Sequence, residues 1–316
     1  MDRRQYLEAT CGTVLVGTLA GCSSDSSASS GTNVTEHLEA AGTELEAANN
    51  ALSTESEKFS ETDFEEGGVD VQTTAVTEHL DAAGSELDTA ESAATESQQE
   101  TIEAARSWIA LARSLTTFID VFADGYNGVS NGLSYFQSQR YEDAAETLDT
   151  ASDTLSDAEE ELVIVQDRIE NLDTEALNNL DEVEISTFEA DIERLSGFID
   201  AMIPMVDGLR QESLGMVDFQ TGSTEIENEE YTAAKARFKD ARSHFSSAET
   251  TFKDLEESAP ESLQGSVIEL TCYGSALRES ADHFVATAAA LENGNREKAN
   301  EEAEKGQEAL DQCNFN

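Results

Sequence analysis

Along the body of this chain, apolar residues recur at three- and four-residue steps and only two prolines interrupt them. That pattern places one apolar stripe on each of a series of amphipathic helices. No segment alternates apolar and polar positions in the manner of a strand. Leu38, Ala41, Leu45, Ala48 and Leu52 form the first seam, with heptad spacing suited to helix–helix packing. The seam is duplicated: Val34-Thr35-Glu36-His37-Leu38-Glu39-Ala40-Ala41-Gly42 returns 42 residues later as Val76-Thr77-Glu78-His79-Leu80-Asp81-Ala82-Ala83-Gly84. Leu80, Ala83, Leu87 and Ala90 keep the same register. The link between copies, Ser60 to Gln72, is acidic and carries Gly67-Gly68, which predicts a loop. The second helix is expected to continue through Ile102, Trp108, Ile109, Leu115, Phe118, Ile119 and Phe122, and Gly125, Gly128 and Gly132 to break it.

From Gly132 the spacing changes. Gly132-x2-Tyr135-x5-Tyr141-x2-Ala144-x3-Leu148-x2-Ala151 resembles the tetratricopeptide (TPR) helix–turn–helix, in which small residues let two antiparallel helices approach. A weaker copy runs Gly222-x2-Glu225-x5-Tyr231-x2-Ala234-x3-Phe238-x2-Ala241, and a third is Arg296-x2-Ala299-x3-Ala303-x2-Gly306 after Asn293-Gly294-Asn295. Ala144, Ala234 and Ala299 stand 90 and 65 residues apart, whereas TPR units repeat every ~34. The proline that closes such units is replaced by Ser156, Ser246 and Asp311. The pattern therefore predicts lengthened TPR-like hairpins separated by extra helices such as Ser186 to Ile226, which Pro204 is expected to kink. The expected fold is all-α: an elongated bundle of roughly seven to nine antiparallel helices with TPR-like hairpins. What the resemblance implies for activity is protein interaction.

The opening thirty residues are of another kind. Arg3-Arg4-Gln5-Tyr6-Leu7 resembles a twin-arginine export signal, with Asp2 and Glu8 departing from its usual flanks. Ala9 to Ala20 is apolar but too short to span a membrane, which takes roughly 20 residues. Leu19-Ala20-Gly21-Cys22 resembles a lipobox, and Ser23 to Ser30 supply a polar spacer. The resemblance implies a signal peptide over 1–21, a lipid on Cys22 and a Ser-rich linker over 22–32. Two lipid chains suffice for stable anchoring, so the expected location is the outer face of the cytoplasmic membrane. The remainder divides into a heptad-patterned hairpin over 33–125 and a TPR-like domain over 126–316.

Charge sharpens this picture. The chain holds 67 acidic against 18 basic residues, a formal net charge of -49. Such self-repulsion is screened at molar salt, where the Debye length falls to about 3 Å, and the composition resembles that of proteins from salt-accumulating haloarchaea. With no basic patch to displace counterions, nucleic acid is excluded as a partner. A calcium store is disfavoured too, because no Asp-x-Asp-x-Asp-Gly loop accompanies runs such as Glu159-Glu160-Glu161 or Glu301-Glu302.

No catalytic motif is present: there is no G-x-S-x-G elbow, phosphate-binding glycine loop or zinc-spaced cysteine pair. None of His37, His79, His244 and His283 belongs to a Glu-x-x-His or His-x-x-Glu pair, so no di-iron or related iron site is predicted. The aromatics from Trp108 to Tyr141 recur at helical spacing and are read as core, with a ligand or partner groove as the alternative. Cys272 and Cys313 are centred near the Asn293-Gly294-Asn295 turn, so an antiparallel hairpin would set them at similar height. A disulfide between them is expected, provided that Tyr273-Gly274 bends the helix enough to turn Cys272 inward; two buried free thiols are the alternative. The expectation is thus a non-enzymatic lipoprotein without cofactor or metal, acting as a helical interaction scaffold for another envelope protein. The alternative is a small-ligand or metal-binding lipoprotein that serves a transporter or signal transducer. An open groove would favour the first, a closed pocket with converging polar groups the second.

Overall fold

The computed structural model describes residues 33–61, 68–172 and 185–313. Among them lie eight α-helices and no strand: α1 (Val34–Glu61), α2 (Thr74–Glu91), α3 (Glu96–Gln137), α4 (Tyr141–Glu170), α5 (Ile185–Glu227), α6 (Tyr231–Glu256), α7 (Glu261–Glu292) and α8 (Arg296–Asp311). The protein is all-α, and its helices pack on their neighbours as a bundle. They form two compact units. The described residues of the first are 33–61, 68–124, 157–172 and 185–196; those of the second are 125–156 and 197–313. The sequence pattern places 126–316 in one domain, but the far half of α4 packs in the first unit. Its 30 residues span about 45 Å at the helical rise. The distal stripe of Leu162, Val165 and Ile169 is buried there.

In the first unit the duplicated seams meet. Val76, Leu80, Ala83, Leu87 and Ala90 of α2 are all buried. In α1, Leu38, Ala41, Ala48 and Leu52 are buried while Leu45 stays half-buried. The repeat also makes the polar contacts reciprocal. His37 Nδ1 lies 2.5 Å from Glu86 Oε2, and His79 Nδ1 lies 2.7 Å from Glu44 Oε2. Glu44 and Glu86 are 42 residues apart, as the histidines are, so each copy supplies one donor and one acceptor to an antiparallel pair. Buried Glu55 accepts from Lys58 Nζ at 2.6 Å and from the Gln72 backbone N–H at 2.7 Å, tying α1 to the approach to α2.

Two expectations about α3 are corrected. The second repeat helix does not run on through Trp108; it stops at Glu91 and a new helix starts at Glu96. The stop has no Gly or Pro. Instead Gln98 Oε1 accepts from the Thr95 backbone N–H at 3.0 Å and from its hydroxyl at 2.9 Å, while the Gln99 N–H bonds back to the Thr95 carbonyl. The Gln98 side chain thus supplies one half of a capping box, reaching back to the backbone N–H of the residue before the helix. Nor do Gly125, Gly128 and Gly132 break α3, which continues to Gln137. A Cβ on these glycines would come within 2.9 Å of Leu155, 2.8 Å of Ala151 and 2.6 Å of Leu148. Their role is close approach of α4.

The second unit contains three hairpins joined by one kind of turn. The Gln139 N–H bonds the Phe136 carbonyl and the Arg140 N–H the Tyr135 carbonyl. The same pair of bonds links Glu229 to Ile226 and Glu230 to Glu225, and Gly294 to Leu291 and Asn295 to Ala290. This is the Schellman arrangement, which needs one left-handed residue; φ is 60° at Gln139, 62° at Glu229 and 74° at Gly294. All three TPR-like matches therefore fall on helical hairpins with a common turn. In the α5–α6 hairpin the seam is aromatic on glycine: Phe252 sits against Gly208, Phe245 against Gly215 and Phe238 against Gly222. Seven-residue steps up one helix answer seven-residue steps down the other. Pro204 lies inside α5, one turn before this seam begins.

Candidate functional site

The inward stripe of α6 is Ala234, Phe238, Ala241, Phe245, Ala248 and Phe252, all buried. The adjoining stripe, Ser243, Ser246, Ser247 and Thr250, is exposed. Because these side chains are short, they leave a groove of about 660 Å³ between α6 and α7, bounded also by Arg242, Arg278 and Asp282. It lies open to solvent. The Ser247 and Thr250 hydroxyls turn back onto the Ser243 and Ser246 carbonyls of their own helix at 3.1 and 2.8 Å.

The groove wall is an ion-pair network. Arg242 Nη1 reaches Asp282 Oδ1 at 2.9 Å, and Arg278 Nη1 approaches Asp282 Oδ2 at 3.6 Å. Arg278 Nε also donates to Glu249 Oε2, and Lys253 Nζ to Glu249 Oε1, each at 2.6 Å. Burial pushes the Glu249 carboxyl up, but the hydrogen bonds and charges of Lys253 and Arg278 together outweigh it and hold the carboxyl below its usual range. Three cations and two carboxylates meet here, on a chain whose acids outnumber its bases 67 to 18.

Behind this wall lies a buried carboxyl of a different kind. Glu212 on α5 is 1% exposed, and its Oε1 has no hydrogen-bond partner. It comes so close to Gly274 of α7 that a Cβ there would stand 3.3 Å from Oε1 and 3.5 Å from the Glu249 backbone. Burial pushes the Glu212 carboxyl well above the usual range. Tyr273, next in sequence to Gly274, is pushed up to about 12, chiefly by burial, then by Glu212 and Tyr141. The Ser280 hydroxyl is likewise buried without a partner.

Cys272 and Cys313 are joined as a disulfide, with Cα atoms 5.9 Å apart and a sequence separation of 41. α7 runs as one helix through Tyr273-Gly274, and Cys313 stands two residues beyond Asp311, the last residue of α8. Closing a loop of that length removes chain entropy worth about 4 kcal/mol at most. Arg3, Arg4 and Cys22 lie outside the described residues.

Each histidine bridges two helices. Besides the α1–α2 pairs, His244 Nδ1 lies 2.8 Å from Gln211 Oε1 on α5, and His283 Nδ1 lies 2.9 Å from Glu302 Oε2 on α8. The His283 bond holds the Glu302 carboxyl below its ordinary value. Among the described residues no group of three or more His, Cys, Asp or Glu side chains converges on a metal position. No helix among them is long and apolar enough to cross a membrane.

Neither the groove nor Glu212 was singled out by sequence spacing. The available signals were weak: two arginines on a base-poor chain, a run of hydroxyls off the apolar stripe, and Glu212 as one of three acids between Ile199 and Met216. Comparison with protein-family models, curated proteins and solved structures finds no match for this chain.

Proposed function

We propose that the chain is a membrane-anchored extracytoplasmic lipoprotein that acts as a non-enzymatic helical scaffold for another envelope protein. The observation that carries this reading is the α6–α7 groove, which is open, polar and walled by side chains already paired with one another. An open trough with two arginines and several hydroxyls suits an extended segment of a partner, whose backbone and acidic groups it can meet along its length. A small ligand would call for enclosure on most of its surface. The anchor is the lipid expected on Cys22, with Arg3 and Arg4 directing export.

The test is an affinity pull-down of the full-length protein from its own membranes in molar salt, beside a Ser243→Arg/Ser246→Arg variant that fills the groove from two exposed positions. A stoichiometric envelope protein retained by the parent and lost from the variant is the expected result. Equal retention by both would remove the groove from the reading. A protein recovered alone with a bound small molecule or metal would replace the scaffold by the ligand-binding alternative. Mass spectrometry of the N-terminal peptide reads the lipid on Cys22 directly.

A further inference from the structure

We propose that Asn33 is a site of N-linked glycosylation, an inference that rests on the exported location proposed above. Asn33-Val34-Thr35 has the form of an acceptor triplet, and no other asparagine of the chain is followed two places later by serine or threonine. Asn33 is exposed and stands outside the helix, directly before Val34. Its amide Nδ2 makes one long surface hydrogen bond, 3.3 Å to Glu36 Oε2. Thr35, whose hydroxyl the triplet requires, is exposed as well.

The internal repeat supplies the contrast. The position 42 residues after Asn33 is Ala75, which lies inside α2, and the hydroxyl of Thr77, the counterpart of Thr35, is turned onto the Thr73 carbonyl at 3.4 Å. The two copies share Val-Thr-Glu-His, yet only the first offers an amide, and offers it outside a helix.

Opening the triplet costs little. A transferring enzyme needs its acceptor drawn out as an extended segment, and in the first turn of a helix the backbone N–H groups have no intrahelical partner to give up. The bonds to be released are those accepted by the carbonyls of the triplet, among them His37 N–H to the Asn33 carbonyl, 3.2 Å. The first fully buried side chain, Leu38, lies beyond the triplet. The sugar donor is an oligosaccharide linked to a lipid phosphate. Asn33 Nδ2 bonds to the anomeric carbon as the bond from that carbon to the phosphate oxygen breaks. The lipid phosphate leaves with the electron pair, the amide proton passes to a base, and nothing is oxidised or reduced.

The experiment is peptide mass spectrometry of the full-length protein extracted from its own membranes, reading Asn33 and Cys22 in one sample, with Asn33→Gln, Thr35→Ala and Thr35→Ser variants alongside. Mass increments of whole sugar residues on the Asn33 peptide are expected, lost in Asn33→Gln and Thr35→Ala and kept in Thr35→Ser. A bare Asn33 beside a lipidated Cys22 overturns the glycan and leaves export standing. A bare Asn33 beside an unmodified Cys22 overturns both. Increments that survive Thr35→Ala overturn the assignment to this triplet.

Discussion

The α1–α2 and α5–α6 hairpins bury apolar seams at the same heptad spacing and in the same antiparallel sense, yet they reach close packing differently. The first sets Ala and Leu against Ala and Leu, with side chains of middling size on both helices. The second sets large against nothing: Phe252, Phe245 and Phe238 rest on Gly208, Gly215 and Gly222. An Ala/Leu seam tolerates small changes because neighbours of similar size share the volume. A Phe/Gly seam concentrates all of its shape in a few positions. Spacing alone does not distinguish the two, so their difference has to be measured as unequal responses to matched substitutions.

The largest effect is expected at the rings. Phe245 is fully buried between α5, α6 and α7, packed with Ala241, Leu277 and Ala281. Phe245→Ala leaves a ring-sized void over a glycine that has no side chain to fill it, and should cost about 3–5 kcal/mol. Leu80→Ala in α2, with alanines and leucines around it able to close in, should fall at the lower end of about 2–5 kcal/mol. Urea unfolding in molar salt reads both; a greater loss for Leu80→Ala than for Phe245→Ala would refute the contrast.

Next is the opposite face of the same seam. A Cβ at Gly215 would lie 2.4 Å from the Phe245 ring, nearer than real contacts allow, so Gly215→Ala must displace the ring or part the helices. The expected loss is about 1–3 kcal/mol, despite alanine's better helix propensity. A neutral Gly215→Ala would mean that the ring has room to move and that the seam is not a fixed fit.

These seams also show what a single sequence reveals. The duplicated Val-Thr-Glu-His-Leu seam was legible because heptad spacing projects directly onto one helical face. The three turns were legible too, since Gly-x2-Tyr-x5-Tyr-x2-Ala and its second copy mark both arms of a hairpin whichever residue takes the left-handed position, and Asn293-Gly294-Asn295 marks the third turn directly. The break before α3 was missed because its only signal is the Thr95-x-x-Gln98 spacing, which is easily overlooked on a chain this rich in Thr, Ser and Glu, and neither Gly nor Pro stands there. The glycines of α3 were misread for a related reason: glycine weakens a helix in isolation, and only the neighbouring α4 shows that its missing side chain is what the packing uses. Glu212 was hidden by abundance, one acid among 67. The groove was hidden because hydroxyls form a trough only once α7 stands beside them.

The two units also treat a buried acid differently, which sets up a pH experiment. Glu55 in the first is satisfied by Lys58 and a backbone N–H, whereas Glu212 in the second has an unpartnered oxygen. Burial raises the folded-state pKa of Glu212 above its unfolded value, so the native state binds the extra proton. Its contribution is whole below the unfolded pKa and is lost as pH climbs from there through the folded pKa. Glu212→Gln should therefore flatten the fall in stability above the unfolded carboxyl pKa, about 4.3, and gain on the parent towards neutral pH by at most about 1.4 kcal/mol for each pH unit between the unfolded and folded pKa, because the amide has no charge to bury. Glu55→Gln should lose stability there instead. Identical pH profiles for Glu212→Gln and the parent would show that Glu212 is not held protonated.

The smallest effect carries the opposite sign and tests the comparison most sharply. Gly84 lies within α2, and a Cβ built on it meets nothing within 4 Å. The same substitution that crowds a ring at Gly215 should here gain the difference in helix propensity, about 0.5–1 kcal/mol. Both glycines are helical, so propensity predicts the same gain for each, and the difference between Gly84→Ala and Gly215→Ala isolates what the Phe seam adds. Thermal unfolding of the two variants and the parent in one buffer reads that difference. Equal gains at both sites would leave propensity as the sole determinant and remove the distinction between the hairpins; a gain at Gly84 with a loss at Gly215 places glycine in α5 as a packing residue and glycine in α2 as a helix weakness that nothing in the fold requires.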